Sequence, residues 1–224
     1  MTQAIRVLLV DDHPIIRQGL SQLFSLDARF TCVRQAGSIA EVKACLGGGY
    51  APDVMVLDLA LGKESGLDLL RGLRADGFES PVVVLSMYDE AAYAERALQA
   101  GAQAYLMKQS AAENVVEAVH RVLRGEIVLS AAMQTQMLSR MVGRRRSTDA
   151  KDSLSDREIQ VLQLLGNGLS TSEIAATLRR SVKTIESHRA AIKTKLGLRS
   201  GLELIRYAAN MRPDLPAPTL EADT

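Results

Sequence analysis

Five short apolar runs alternate with five amphipathic segments along residues 1–124, and this alternation restricts the fold more than any other feature. The runs are continuously apolar, which is typical of parallel strands covered on both faces. The predicted strands are Ile5–Val10, Phe30–Val33, Val54–Leu57, Val82–Leu85 and Ala102–Met107. The predicted helices span residues 14–26, 38–46, 64–75, 89–100 and 111–123. Five βα units of this length predict an α/β domain with a doubly wound, flavodoxin-like sheet.

Local sequence also marks where some of these helices begin. Ser38 with Glu41, and Ser110 with Glu113, have the spacing of a capping box, in which the serine oxygen accepts a hydrogen bond from the acidic residue's N–H. Asp89 is a candidate N-cap. These residues predict that helices start directly after Ser38, Asp89 and Ser110.

Four of the predicted strands end in reactive or charged residues: Asp11 and Asp12, then Asp58, Ser86 and Lys108. The carboxyl ends of parallel strands share one edge of the sheet, where open α/β folds place their sites. Three close carboxylates raise one another's pKa unless a cation lies among them, and such oxygen ligands suit Mg²⁺. Beside Mg²⁺ and Lys108, the Asp58 carboxylate can attack a phosphoryl group and hold it as an acyl phosphate.

The residues around these positions resemble the receiver domain of bacterial two-component response regulators. The matching motifs are Val10-Asp11-Asp12, Leu57-Asp58-Leu59, Leu85-Ser86 and Met107-Lys108, and the resemblance covers nearly all of residues 4–124. It implies that Asp58 is the phosphoacceptor. It further implies that Asp11, Asp12, Asp58 and the Ala60 carbonyl ligate Mg²⁺, that Lys108 contacts the phosphoryl group, and that Ser86 and Tyr105 form a switch pair.

Two positions depart from the receiver pattern. Gly62 stands where receivers usually have proline, which predicts a looser loop after the acceptor. Gln109 stands where many receivers have a cis-proline, and a trans bond is expected because a cis bond is costly before other residues. We assign His13 a structural role, since histidine is a poor Mg²⁺ ligand.

Residues 125–152 are predicted to be a linker between two domains. Within it, Ser130–Met141 can form a helix with Met133, Met137 and Met141 along one face. Such a stripe indicates packing against a neighbouring domain. Residues 143–153 are rich in charge and small polar residues, which is typical of a mobile connection. The tail, residues 212–224, is predicted to be disordered.

Residues 153–211 carry the pattern of a small helical domain. Ser155 with Glu158 and Ser170 with Glu173 form two capping boxes, and Ser181 precedes a helix over 182–196 that Gly197 ends. The segments Leu154–Leu162, Gly168–Ala175, Ser181–Arg189 and Lys195–Gly197 resemble a LuxR-type helix-turn-helix domain. Joined to a receiver, this arrangement is similar to the NarL/FixJ subfamily of transcriptional regulators.

The resemblance places the helix over 182–196 in the major groove of double-stranded DNA. Base-edge contacts are expected from Glu186, Ser187 and Ala190, and phosphate contacts from Lys183, Thr184, Arg189, Lys193 and Lys195. Glutamate can accept a hydrogen bond from cytosine N4. We therefore hypothesise that Glu186 selects a cytosine. A further helix over 201–209 is amphipathic and can close the domain core, pair two protomers, or both.

Charge and cysteine content agree with this division of labour. Residues 1–124 carry 12 Lys/Arg against 15 Asp/Glu, whereas residues 153–212 carry 10 against 5, which favours nucleic-acid contact by the second half. The two cysteines, Cys32 and Cys45, have no metal-ligand spacing, and no leader or membrane-spanning run is apparent. A cytoplasmic location is expected.

The interpretation is a non-enzymatic response regulator, switched by Mg²⁺-dependent phosphorylation of Asp58 from a sensor histidine kinase. A homodimer is expected in the phosphorylated state, and RNA polymerase is a further candidate partner. Two alternatives remain open at this stage. One is a phosphorylation-independent DNA-binding regulator with a vestigial acidic pocket, and the other is an enzyme that works through an aspartyl-phosphate.

Overall fold

The computed structural model describes residues 4–62, 64–142 and 153–210. The chain divides into two compact units, Met1–Arg145 and Arg146–Thr224. The predicted mobile connection, apart from Ser153, lies outside the described residues, and so does the predicted disordered tail. Within the described ranges, no helix is long and apolar enough to cross a membrane.

The N-terminal unit is built on a five-stranded parallel sheet of order β2-β1-β3-β6-β7. Its strands are β1 (Ile5–Val10), β2 (Phe30–Ala36), β3 (Val54–Asp58), β6 (Val82–Ser86) and β7 (Ala104–Met107). Its helices are α1 (Pro14–Ser25), α2 (Ile39–Gly47), α3 (Gly66–Ala75), α4 (Glu90–Gln99), α5 (Ala111–Leu123) and α6 (Ala131–Val142). The predicted α/β class and flavodoxin-like strand order are confirmed.

The two central strands are buried along their whole length, as their continuous apolar runs predict. Every residue of β3 and β6 is buried, including the polar residues Asp58 and Ser86 at their carboxyl ends. Helices α1 and α5 cover one face of the sheet through Phe24, Val115 and Val119, which join the same apolar core as the strands. The sheet therefore holds the strand ends in fixed register.

Helix starts agree with the sequence only in part. Ser38 accepts a hydrogen bond from the Glu41 N–H, as predicted, but the Glu41 carboxylate accepts from the N–H of Gly37, outside the box. The prediction of a capping box at Ser110 is wrong, because the Ser110 side chain makes no cap hydrogen bond. A 3₁₀ turn, Lys108–Ser110, runs directly into α5, and the Ser110 hydroxyl donates instead to the Met107 carbonyl. Asp89 occupies the N-cap position of α4 without a side-chain cap hydrogen bond.

The loop after the acceptor strand contains a short stretch of regular backbone pairing. It forms a short antiparallel hairpin of β4 (Ala60–Leu61) and β5 (Glu64–Ser65). Gly62 turns this hairpin with φ 58°, a left-handed conformation that proline cannot adopt. A glycine therefore suits this turn better than a proline would, and the looser loop stays a prediction.

Helix α6 belongs to the N-terminal unit. The chain before it lies beside β7, where Val128 donates to the Gln103 carbonyl and accepts from the N–H of Tyr105. Met133 is buried and α6 contacts α4, which is the packing that the methionine stripe predicts. The side chain of Met141 lies outside the described residues.

The C-terminal unit contains α7 (Asp156–Gly166), α8 (Thr171–Thr177), α9 (Val182–Leu196) and α10 (Gly201–Asn210). Both predicted capping boxes are present, at Ser155 with Glu158 and at Ser170 with Glu173. Gly197 ends α9 in the left-handed conformation, as predicted. The core is formed by residues from all four helices, among them Leu162, Ile174, Ile185, Ile192 and Leu204.

Candidate functional site

The ends of β1, β3 and β7 bring two carboxylates and an ammonium group into direct contact. The Lys108 Nζ lies 2.6 Å from Asp11 Oδ2 and 2.7 Å from Asp58 Oδ2. The side chains of Asp11, Asp58 and Lys108 are only 3%, 2% and 5% exposed. The predicted convergence of these three residues is therefore present in the structure, although 97 positions separate Asp11 from Lys108.

Burial governs the electrostatics of this cluster. It raises the pKa of Asp58 from 3.8 to about 6, with Lys108 opposing the rise and Asp11 adding to it. Burial lowers the pKa of Lys108, but the two carboxylates outweigh this, so the net shift is upward and the ammonium stays charged. The cluster holds two acidic groups against one cation at neutral pH, an excess of negative charge that favours a further cation.

Asp12 completes the acidic group from the loop after β1. The N–H of Gly62 donates to Asp12 Oδ2 at 3.1 Å. His13 Nδ1 lies 2.7 Å from Asp12 Oδ1 and 3.2 Å from Asp11 Oδ1, and its backbone N–H also donates to Asp11 Oδ1. The contacts of His13 hold the two carboxylates in place, which agrees with the structural role predicted for it.

The donor set fits Mg²⁺. Four possible ligand atoms lie within 4.8 Å of one another, one each from Asp11, Asp12, His13 and Asp58. Carboxylate oxygens in this number, with room for water, are what Mg²⁺ requires. The Ala60 N–H donates to Asp58 Oδ1 at 3.1 Å, so the residue predicted to offer its carbonyl lies next to the acceptor.

The predicted switch pair meets through the backbone of Tyr88. The Ser86 hydroxyl, fully buried, accepts a hydrogen bond from the Tyr88 N–H at 3.0 Å. The Tyr105 hydroxyl donates to the Tyr88 carbonyl at 2.8 Å. Burial raises the pKa of Tyr105 well above its ordinary value, so the hydroxyl stays a neutral donor. Tyr88 also stacks on Tyr93 of α4, with ring centroids 5.0 Å apart.

Sequence reasoning missed two residues that support the site. An Arg17 guanidinium N–H donates to the main-chain carbonyl of Asp11 and so ties α1 to the metal-binding loop. Gly66 packs against the acceptor itself, since a Cβ at this position would lie 2.2 Å from the main-chain oxygen of Asp58. The Gly66 turn could be recognised in the sequence, but the backbone it touches could not.

We expect Gly66→Ala to displace the Asp58 backbone and to destabilise the N-terminal unit by about 1–3 kcal/mol, the usual cost of overpacking. Chemical denaturation measures the loss, and phosphoryl uptake should slow with it. Gly72→Ala is the matched control on the same helix, because its Cβ would meet nothing within 4 Å. Alanine there should stabilise the helix by up to about 1 kcal/mol. Equal stability of the two variants would contradict the close approach at Asp58.

The second candidate site lies on α9. Lys183, Glu186, Ser187 and Ala190 are exposed, and Thr184, Arg189 and Lys193 are half-buried. Positions 183, 186, 187 and 190 follow helical spacing and form one exposed face. All three residues that are predicted to contact bases are therefore accessible to the major groove of DNA.

Two of the residues predicted to contact phosphate are engaged inside the domain. Lys195 Nζ lies 2.7 Å from Glu158 Oε2 of α7. Burial raises the pKa of Glu158, but Lys195 and the hydrogen bonds from Ser155 together outweigh burial, so the net shift is downward. An Arg189 guanidinium N–H donates to the Thr171 hydroxyl of α8. In this structure the Lys195 ammonium joins α9 to α7, although Lys195 is exposed. The contacts of Lys195 and Arg189 with DNA phosphate stay predictions.

Comparison with known proteins matches both parts of the chain. Residues 7–120 match the response regulator receiver domain, and residues 152–208 match the LuxR family of bacterial regulatory proteins. The nitrate/nitrite response regulator protein homolog of Haemophilus influenzae is 36% identical over 89% of this chain and 94% of its own length. The chain is a response regulator of the NarL/FixJ subfamily.

Other relatives agree with this assignment. The oxygen regulatory protein NreC of Staphylococcus aureus is 33% identical to this response regulator. The match covers 91% of the present chain and 96% of NreC. Two structures of Salmonella RcsB, one of them bound to promoter P1flhDC with the phosphomimetic BeF₃⁻, each cover 93% of the chain. The match covers 100% of the RcsB chain in the DNA-bound structure, with a TM-score of 0.59, and 98% in the other, with a TM-score of 0.62. Both RcsB chains are 23% identical to this chain. These two structures support the fold.

Proposed function

We propose that Asp58 accepts a phosphoryl group from a sensor histidine kinase or a small phosphodonor, and that this controls DNA binding by α9. The observation that carries the proposal is the buried contact of Lys108 with both Asp11 and Asp58. A cation held between two carboxylates beside a divalent-metal donor set is suited to an incoming phosphoryl group, whose oxygens carry negative charge. Membership of the response regulators supports the same conclusion.

The chemistry assigned to each residue follows from its position. An Asp58 carboxylate oxygen attacks the phosphorus, the bond from phosphorus to the donor breaks, and the donor leaves with the electron pair. Asp11, Asp12, Asp58 and the Ala60 carbonyl would hold Mg²⁺, which when bound neutralises charge on the phosphoryl oxygens. Lys108 pairs with one of those oxygens and the Ser86 hydroxyl donates to another.

The output of the switch is binding to promoter DNA. The exposed face of α9 supplies the contacts to bases, and the contacts to phosphate come from Lys183, Thr184, Arg189, Lys193 and Lys195. In α10, Leu204 and Ala208 face the core, while Leu202 and Ile205 are 68% and 44% exposed. We assign these two exposed apolar residues to a homodimer contact on two-fold DNA half-sites. RNA polymerase is a further partner, and such a regulator acts in the cytoplasm.

The experiment that tests this function is phosphorylation of the full chain with acetyl phosphate and Mg²⁺. Intact mass should increase by one phosphoryl group, and the modified protein should bind duplexes selected from a random library more tightly than the unmodified protein. EDTA should prevent the modification. A chain that stays unmodified in Mg²⁺, or binds DNA equally well before and after modification, contradicts the proposal.

We expect Glu186→Ala to relax preference at one base pair, by roughly 1–3 kcal/mol for the correct base over the others. The reason is that Glu186 is exposed on the face of α9 that enters the groove, and a carboxylate accepts hydrogen bonds without donating any. Binding to all single-base variants of a selected site measures the effect. Lys183→Ala is the comparison: it should weaken binding to every sequence and reduce the salt dependence by about one ion. An unchanged base preference in Glu186→Ala would reject the contact.

A further inference from the structure

Helix α6, which precedes the DNA-binding domain in the sequence, begins with an incomplete cap of its own. The Ser130 hydroxyl accepts from the N–H of Met133, as an N-cap serine does. In a capping box the third helical residue is acidic and returns a hydrogen bond to the N-cap N–H. That residue is Met133 in this chain, so the local sequence cannot complete the box.

Glu90 of α4 supplies the missing acceptor. Its Oε1 accepts from the backbone N–H of Ser130 at 2.9 Å, across 40 residues of sequence. The cap of α6 is thus shared between two elements, with Ser130 on one and Glu90 on the other. The Glu90–Ser130 contact makes the start of the linker helix depend on where α4 begins.

The same short segment is also tied to the switch pair. Val128, two residues before Ser130, accepts a hydrogen bond from the Tyr105 N–H at 3.0 Å. Tyr88, two residues before Glu90, is held by Ser86 at its N–H and by Tyr105 at its carbonyl. Each residue of the switch pair is therefore hydrogen-bonded to a residue that lies two positions before Glu90 or Ser130.

We propose that the Glu90–Ser130 contact couples the state of Asp58 to the linker helix, and that phosphorylation releases it. This inference rests on the proposed function of Asp58. The Ser86 hydroxyl now accepts from the Tyr88 N–H, and turning it towards a phosphoryl group on Asp58 breaks that bond. The Tyr88 backbone then moves, Glu90 moves with it, and α6 loses its second cap.

Hydrogen–deuterium exchange of the full chain tests this coupling. In the wild type, BeF₃⁻ with Mg²⁺ should speed exchange at the first amides of α6 about fivefold, as expected when part of an N-cap is lost. In Glu90→Ala without BeF₃⁻, the same amides should exchange about fivefold faster than in the untreated wild type. Adding BeF₃⁻ to this variant should cause no further change in their exchange. Glu90→Gln keeps a neutral acceptor, so its exchange should lie near that of the wild type.

The matched control is Glu113→Ala, because Glu113 also lies in the first turn of a receiver helix and is exposed. It should leave α6 exchange unchanged and responsive to BeF₃⁻. Amides of β3, read in the same spectra, report whether a variant is globally unstable. Phosphoryl uptake, measured by intact mass, distinguishes failure of the proposed function from failure of the coupling. If the wild type takes up no phosphoryl group, the proposed function itself fails. With normal uptake, equal α6 responses in Glu90→Ala and the wild type overturn the coupling.

Discussion

Asp58→Asn will abolish phosphoryl uptake from acetyl phosphate, because an amide cannot attack phosphorus in place of a carboxylate. Lys108 and the Ala60 N–H both contact the Asp58 carboxylate. No neighbouring carboxylate can take its place in the same geometry. Intact mass with Mg²⁺ measures the loss, which should be complete. Asp68→Asn is the control, since Asp68 is exposed on α3, where it pairs with Arg71.

The same variant should alter the dependence of stability on pH. Burial raises the folded-state pKa of Asp58 from 3.8 to about 6, so the folded protein binds this proton more tightly than the unfolded chain. The wild type should therefore lose stability relative to Asp58→Asn as pH rises from about 4 to about 6, by about 3 kcal/mol at most. Denaturation in EDTA at several pH values measures the difference. A constant difference between the two proteins across this range would contradict the raised pKa of Asp58.

The site was predictable because strand periodicity and sheet topology act together. Apolar runs identify the strands, and a parallel sheet places all their carboxyl ends at one edge. Residues as distant as Asp11 and Lys108 then have to meet. No long-range contact had to be guessed, because the fold class alone determines which ends are neighbours.

Local patterns failed where tertiary structure offered another partner. Ser110 has the spacing of a capping box, but its backbone lies at φ −106° and ψ 6°, outside the extended conformation that an N-cap needs. The ion pair of Lys195 with a buried carboxylate of α7 was likewise not foreseen from its place on α9, and its contact with DNA phosphate stays a prediction. Neither outcome can be derived from the residues within one helix, because each depends on the neighbouring element.

The attachment of α6 to the receiver was hidden for the same reason. Its helical pattern and methionine stripe were visible, and Met133 is buried as that stripe requires. The strand-like pairing of Val128 with β7, and the acceptor that Glu90 supplies to Ser130, involve backbone groups. Backbone hydrogen bonds leave almost no trace in side-chain pattern. Sequence therefore predicts that a linker helix exists but not what holds it.

Lys108→Met will destabilise the N-terminal unit in EDTA by about 3–5 kcal/mol, the usual cost of leaving a buried charge unpaired. Methionine keeps the length of the side chain but removes an ammonium group that contacts both Asp11 and Asp58. Mg²⁺ should recover part of this loss, since it binds the same carboxylates, so the stabilisation by Mg²⁺ should exceed that of the wild type. Denaturation with and without Mg²⁺ measures both quantities.

A double-mutant cycle identifies the physical cause of the Lys108→Met effect. In Asp58→Asn/Lys108→Met one of the two buried carboxylates is gone, so removing the ammonium should cost less than it does in the wild-type background. If the two costs are equal, Lys108 stabilises the protein by packing and not by its charge. Phosphoryl uptake should fall in Lys108→Met even at saturating Mg²⁺, because the metal restores the charge of the cluster but not a donor at the position of Nζ. Normal uptake in that variant would remove Lys108 from the phosphoryl contact and leave it a purely structural cation.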